Sequence, residues 1–79
     1  MNIRLLFFGA TAEIANSRST QIEIQDNATV GDIVGEIIHS HPELSRHRLL
    51  FSVNQEYVSS ADVIFDGDEL AIFTAVSGG

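Results

Sequence analysis

The sequence predicts an α+β fold in which a mixed sheet of four to five strands is covered on one face by one main helix. Several short stretches alternate apolar and polar residues, as half-buried strands do. One longer stretch repeats apolar residues with the 3.6-residue period of a helix. Hydrophobic residues make up 44% of the 79-residue chain, a share that favours a packed core over disorder. Residues 1–79 are expected to form a single domain.

Two strands are predicted before the helix. Residues 2–8, NIRLLFF, are rich in Leu and Phe and largely apolar on both faces. Residues 20–26, TQIEIQD, alternate cleanly and place Ile22 and Ile24 on the inner face. The segment between them, residues 9–19, is predicted to be a loop, so that the two strands form a hairpin.

The helix is the clearest element of the sequence. Its apolar stripe has the spacing i, i+3, i+4, i+7 and i+8 and consists of Val30, Ile33, Val34, Ile37 and Ile38. Thr29 is expected to be the N-cap, with Asp32 supporting the cap and the positive end of the helix dipole. Pro42 is expected to end the helix near His39 or Ser40.

Further strands are predicted after the helix. RLLFSVNQEYV, residues 48–58, is expected to form a strand, a turn at Asn54 and Gln55, and a short second strand. On the first of these strands one face carries Leu49, Phe51 and Val53. DGDE, residues 66–69, is predicted to be a turn because Asp-Gly adopts positive φ at low cost. The last strand is ELAIFTAV, residues 69–76.

This order of elements is that of the β-grasp fold, with a right-handed crossover through the helix and the last strand beside the first. The helix is expected to cover the face formed by Ile3, Leu5, Phe7, Ile22, Ile24, Leu70 and Ile72. The other face then carries four large side chains with no second helix to cover them, namely Leu6, Phe8, Tyr57 and Phe73. Neighbouring exposed apolar side chains of this size predict an interface with a partner protein.

Charge and composition restrict the partners. Eleven Asp and Glu outnumber four Arg, Lys is absent, and the formal net charge is −7. Such a chain repels a nucleic-acid backbone, so a basic protein partner is expected and nucleic acid is not. No apolar run approaches the ~20 residues of a membrane span, so no membrane partner is expected. The chain has no Cys, which favours a reducing compartment, the cytoplasm.

Five stretches of the chain resemble one family. They are IRLLFFGA at 3–10, ATVGDIVGEI at 28–37, VNQEYV at 53–58, DGDELAIF at 66–73 and VSGG at 76–79. Together they are similar to the small, sulfur-carrying subunit of molybdopterin synthase, a ubiquitin-like β-grasp protein. In that family an ATP-dependent, E1-like activating enzyme adenylates the terminal glycine carboxylate, which is then converted to a thiocarboxylate. The large synthase subunit uses that sulfur to build the dithiolene of the molybdenum cofactor precursor.

The resemblance assigns roles to the end of the chain. Gly79 would carry a transient AMP adduct and then the thiocarboxylate, with no cofactor bound. Gly78, Ser77 and Val76 would complete a flexible tail, residues 76–79. The implied partners are the activating enzyme and the large synthase subunit, the latter in a heterotetramer with two copies of each subunit. The chain would donate sulfur without being an enzyme on its own.

Elementary chemistry supports this role for the tail. Gly78 and Gly79 lack a Cβ, so they form the thinnest peptide available and fit a channel too narrow for side chains. The carboxylate of Gly79 can be activated as a mixed anhydride with AMP, after which a sulfur nucleophile displaces the nucleotide. The sulfur is then held by the main chain, so the role requires no Cys.

The sequence does not support a histidine metal site, a calcium loop or a hydrolytic active site. His39, His41 and His47 do not predict a metal site, because residues two apart lie on nearly opposite sides of a helix. DGDE lacks the spaced oxygen ligands of a calcium loop. Neither a Ser-His-Asp order nor paired carboxylates with pocket residues are present. No metal is expected.

Two alternatives to the synthase carrier stay open. A thiamine-pathway sulfur carrier shares the fold and the Gly-Gly end. A ubiquitin-like protein modifier or interaction module would use Gly-Gly as a conjugation handle or not at all. The absence of Lys excludes chain building through side-chain amines of this protein, but it leaves conjugation to other proteins open.

Overall fold

Five strands and three helical segments follow one another along residues 1–75, the part of the chain that the computed structural model describes. The predicted tail, residues 76–79, lies outside the described residues. The strands are β1 (Asn2–Phe7), β2 (Ser19–Glu23), β3 (Leu49–Val53), β4 (Glu56–Val58) and β5 (Glu69–Thr74). The helices are α1 (Ala10–Ala15), α2 (Val30–Ser40) and a short 3₁₀ helix (Pro42–Arg46).

The strands form one mixed sheet in the order β2-β1-β5-β3-β4. β1 pairs antiparallel with β2 and parallel with β5, and β3 pairs antiparallel with both β5 and β4. The predicted arrangement is confirmed, since the last strand lies beside the first and α2 provides the crossover. Within residues 1–75, none of the helices is both long and apolar enough to cross a membrane.

The ends of α2 follow the predicted local signals. The Thr29 hydroxyl accepts the N–H of Asp32 at 3.1 Å, and the N–H of Thr29 donates to an Asp32 carboxylate oxygen at 2.9 Å. This reciprocal capping box satisfies the backbone N–H groups of Thr29 and Asp32 at the start of the helix. The helix ends at Ser40, and Pro42 opens the 3₁₀ helix, as its missing N–H and fixed φ allow.

The core lies between α2 and one face of the sheet. The strands contribute Ile3, Leu5, Phe7, Leu70 and Ile72, and α2 contributes Val30, Ile33, Val34 and Ile37. Ile22 and Ile24 pack against this cluster while partly buried, so the predicted inner face is confirmed. Two fully buried members were not predicted, namely Leu44 in the 3₁₀ helix and Ile64 in the segment between β4 and β5.

The predicted loop at residues 9–19 is wrong in its first half, which forms α1. Gly9 enters the helix at φ 58°, and Asn16 ends it in the left-handed conformation with its N–H bonded to the carbonyl of Ala12. Ala has the highest helix propensity, which favours a helix in ATAEIA once tertiary packing holds it. Partly buried side chains of this helix then pack against the core, namely Ala12, Ile14 and Ala15.

Both predicted turns are confirmed by their backbone angles. Asn54 and Gln55 have φ of 50° and 72°, the signature of a two-residue hairpin turn between β3 and β4. Gly67 has φ 85° in the turn before β5. The N–H of Gly67 donates to the carbonyl of Asn2 at 2.8 Å, which fixes this turn to the start of β1.

Candidate functional site

The face of the sheet opposite α2 carries apolar side chains from four strands. We call it the open face and define it by Leu6, Phe8, Leu50, Tyr57, Ala71 and Phe73. Each strand residue of this set alternates with a residue that packs in or against the core. Phe8 continues the row of β1, because its N–H bonds to the carbonyl of Ile72 at 3.2 Å.

The strand register brings the open-face residues together in rows. Leu6 lies opposite Ala71, and Leu50 lies opposite Phe73. The rings of Tyr57 and Phe73 meet edge to face, with centroids 5.9 Å apart and planes at 61°. This geometry suits the quadrupoles of the two rings and holds them in a fixed relative orientation.

The open face is exposed in the isolated chain. Phe8 is 52% exposed and Tyr57 is 78% exposed, while Leu6, Leu50 and Phe73 are half-buried. Ala71 is only 8% exposed although it lies outside the core cluster. Larger neighbours, among them Leu6 opposite it, surround this small side chain.

The apolar and polar parts of this sheet face lie at opposite ends of β1. At the start of β1, Arg4 is opposite both Gln21 and Glu69, and its guanidinium is 3.9 Å from the Glu69 carboxylate. An exposed ion pair of this length contributes little to stability. Leu6 and Phe8 follow toward the other end, where β5 also finishes. The apolar part therefore lies where the chain leaves the sheet.

Backbone hydrogen bonds hold Thr74 and Ala75 to the neighbouring strand. Thr74 pairs with Leu49, and the N–H of Ala75 still donates to the carbonyl of Arg48 at 3.0 Å. Val76, Ser77, Gly78 and Gly79 lie outside the described residues. Four residues span at most about 14 Å even when fully extended. Any centre that reacts with Gly79 must therefore approach within that distance of Ala75, beside the apolar part of the open face.

A buried hydroxyl holds the ends of β1 and β5 together at this exit. The Thr11 side chain, on α1, lies 2.7 Å from the carbonyl oxygen of Phe8 and 2.8 Å from that of Ile72, either of which accepts its proton. It also accepts the N–H of Phe8 at 3.0 Å. Thr11 is the buried polar residue of the described chain. It fixes the backbone that carries Phe8 and Phe73.

The structure places the four predicted interface residues on one face and extends the set. Leu6, Phe8, Tyr57 and Phe73 share the open face, as predicted. Leu50 and Ala71 were missed, although Leu50 is out of phase with the inward residues of β3 and could have been found by alternation. Thr11 was missed because its segment was predicted to be a loop. That these residues bind a partner stays a prediction.

The three histidines lie at the end of α2 and in the segment that follows it. His39 lies in the last turn of α2, His41 follows it, and His47 comes after the 3₁₀ helix. Across residues 1–75, no group of three or more His, Cys, Asp or Glu is placed to hold a metal ion.

Comparison with known proteins identifies a family. The model of the ThiS family matches residues 5–79. The molybdopterin synthase sulfur carrier subunit of Chlamydomonas reinhardtii is 37% identical over 83 residues, covering 100% of both chains. The protein of the same name from Homo sapiens is 35% identical over 82 residues, covering 98% of this chain and 93% of that one.

The fold also matches that of a solved structure. The crystal structure of the small archaeal modifier protein 1 of Haloferax volcanii superimposes with a TM-score of 0.83 at 29% identity. The match covers 95% of this chain and 98% of that chain. Proteins named as sulfur carriers and as a modifier thus resemble this chain over nearly its full length.

Proposed function

The chain belongs to the ThiS family, and on that basis we propose that it is the sulfur carrier subunit of molybdopterin synthase, with Gly79 as the reacting residue. Relatives that bear this name are 35–37% identical over nearly the whole chain. The observation that carries the proposal is the position of the open face, whose apolar part lies at the end of β5, next to Thr74 and Ala75.

The proposed reaction uses only the carboxylate of Gly79. One carboxylate oxygen attacks the α-phosphorus of ATP and releases pyrophosphate, which leaves a mixed anhydride with AMP. A hydrosulfide ion then attacks the carbonyl carbon, AMP leaves with the electrons of the C–O bond, and loss of the sulfur-bound proton leaves the thiocarboxylate. If the nucleophile is instead the outer sulfur of a persulfide, a thiol reductant then cleaves the S–S bond of the resulting acyl disulfide. The chain holds no resident cofactor in this scheme, and AMP is a transient adduct.

The proposed partners dock on the open face. Because residues 76–79 reach at most about 14 Å beyond Ala75, a deep active site can receive Gly79 only if its rim contacts the sheet around Phe8 and Phe73. The large synthase subunit fills this role in a heterotetramer with two copies of each subunit, and it carries the catalytic residues. The E1-like activating enzyme binds the same exit at another stage, in the cytoplasm.

The tail is tested by mass spectrometry after incubation with the activating enzyme, ATP and a sulfur donor. The intact chain should gain about 16 Da as oxygen is replaced by sulfur, in keeping with capture of a C-terminal carboxylate. Deleting Gly79, adding one residue after it, or the change Gly78→Val should abolish this gain. Each variant should keep its Tm, because the core is formed by residues before position 75.

A glycine far from the tail supplies the matched control. Gly35 lies exposed on α2, and a Cβ there would meet nothing within 4 Å. Gly35→Ala should therefore gain the same mass as the wild type. If the extended chain or Gly78→Val gains sulfur as readily as the wild type, the tail does not carry the reaction.

A second candidate function is protein modification, which the match to the archaeal modifier favours. The activated carboxylate of Gly79 would then form an isopeptide bond with a Lys amine of another protein. Supplying the sulfur-charged chain with the large synthase subunit and the cofactor precursor distinguishes the two. Dithiolene formation supports the carrier, and transfer to protein amines without dithiolene supports the modifier.

A further inference from the structure

A cleft lies between α2 and β2, on the side of the sheet away from the open face. It encloses about 420 Å³. Its apolar lining includes Leu5, Phe7, Ile22 and Ile37, and its polar lining includes Thr20, Ser40 and His41. Glu23 on β2 and Glu36 on α2 also border it, and the side chain of Glu23 alternates to the other face of the sheet. We call it the edge cleft.

The strand beside the edge cleft is an edge strand of the described sheet. Among the strands of residues 1–75, β2 comes first in the sheet order and has one neighbour, β1. Met1 and Ile24 exchange backbone hydrogen bonds at 2.7 and 2.8 Å, and the N–H of Phe7 bonds to the carbonyl of Arg18 at 2.9 Å. Since backbone groups alternate direction along an antiparallel strand, the even-numbered residues of β2 face β1. The N–H and C=O groups of residues 21 and 23 point outward.

Common forms of edge protection are missing from this strand. Natural sheets cover their edges or place Lys, Pro or a bulge there. The sequence of β2, STQIE, contains neither Lys nor Pro, and its register with β1 runs without a bulge. Its one charged residue is Glu23. The formal net charge of −7 makes two copies of the chain repel each other, so pairing of the chain with itself is disfavoured.

We propose that the edge cleft binds an extended segment of a partner protein, in which apolar residues alternate with Lys or Arg, as an added strand beside β2. The backbone of the segment bonds to the free groups of Gln21 and Glu23. Its apolar side chains enter the cleft against Ile22, and its cationic side chains, which alternate to the other face of the sheet, lie beside Glu23. The net charge of −7 favours the same class of partner.

This site goes beyond the proposed function, because it uses neither the tail nor the open face. The open face lies on the other side of the sheet, so a subunit docked there leaves the edge cleft free. The segment could therefore bind while Gly79 is being charged or consumed.

The test uses a capped hexapeptide, acetyl-Lys-Val-Lys-Val-Lys-Val-amide, titrated into the full chain and followed by amide NMR. The resonances of residues 19–23 and of α2 around Glu36 should shift. The same peptide with Glu in place of Lys should bind at least about tenfold more weakly, since a tenfold change corresponds to about 1.4 kcal/mol.

Two variants separate the edge from its surroundings. Gln21→Pro removes the outward N–H and leaves the ladder to β1 intact, so it should weaken binding about tenfold or more. Gln21→Ala keeps that N–H and should bind as the wild type does. If Gln21→Pro does not fold, Glu23→Lys leaves the backbone unchanged and should remove the preference for the Lys peptide.

The proposal is overturned by any of three results. These are shifts confined to the open face around Leu50 and Phe73, undiminished binding by Gln21→Pro, or no shift with the Lys peptide at millimolar concentration. None of these results bears on the chemistry of Gly79, so the proposed function is tested separately.

Discussion

The two faces of β1 and β5 are similarly hydrophobic, but one face is buried and the other is exposed. On β5, Ile72 is fully buried beneath α2 while the next residue, Phe73, is half-exposed. On β1, Leu5 and Leu6 differ in the same way. Period-2 alternation thus supplies both a core and an exposed apolar surface, and the difference between them is the presence of a covering helix. An apolar strand residue is a core residue only if something covers it.

The largest expected effect comes from removing a side chain on the covered face. Ile72→Ala should lower the free energy of unfolding by about 2–5 kcal/mol, because it removes methyl groups from a close-packed core and leaves a cavity. In a domain of this size that is a large part of the total. Urea denaturation followed by circular dichroism measures it. A loss below 1 kcal/mol would mean that the core around β5 is loosely packed.

Truncation on the open face should instead affect binding. Phe8→Ala and Phe73→Ala should each weaken the complex with the large synthase subunit by about thirtyfold or more, since buried central aromatics commonly contribute 2 kcal/mol or more. Phe65, which is 65% exposed outside the open face, is the matched control. Phe65→Ala should bind normally in calorimetry. If both open-face variants stay folded and also bind normally, the open face is not the interface.

The ends of β1 and β5 are held together by the Thr11 hydroxyl. Thr11→Val keeps the shape and removes the hydrogen bonds to Phe8 and Ile72, so it should cost about 1–2 kcal/mol of stability. Thr20→Val, at an exposed position of β2, should cost nothing measurable. Thermal unfolding of the three proteins checks this. Equal Tm values for wild type and Thr11→Val would show that α1 does not depend on this hydroxyl.

The smallest expected effect is a gain in stability. Gln55 holds φ 72° in the turn before β4, where glycine is preferred because it has no Cβ. Gln55→Gly should raise the free energy of unfolding by about 0.5–1 kcal/mol. Gln55→Ala keeps the Cβ and should give no such gain. Denaturant midpoints compare the two, and a gain of equal size in both would contradict the assigned cause.

The sheet and α2 could be predicted because their signals are local and repeated. Alternation assigned both faces of β1 and β5, and the stripe with its Thr29 cap defined α2. The six-residue α1 could not be predicted in this way, because Gly9 gives it no side-chain cap and its length is less than two full turns. Leu44 and Ile64 are single apolar residues in a short 3₁₀ helix and in a loop, where no periodic pattern exists and the tertiary fold determines burial.

The candidate site also contains residues that could be predicted from the sequence and residues that could not. Leu6, Phe8, Tyr57 and Phe73 were predicted because large apolar residues on an uncovered face are conspicuous in an alternating strand. Ala71 carries no such signal, since a small residue is inconspicuous on either face of a strand. The edge cleft likewise depends on the distance between α2 and β2, which no sequence pattern encodes.

The position of β5 between two neighbours has a mechanical consequence. A partner that draws residues 76–79 into a channel pulls on β5 along its axis. The strand is hydrogen-bonded to β1 on one side and to β3 on the other, so the load falls on both ladders in shear, and many bonds must break together. An edge strand such as β4 would instead peel away one bond at a time. A pull on residues 76–79 should therefore leave the sheet intact.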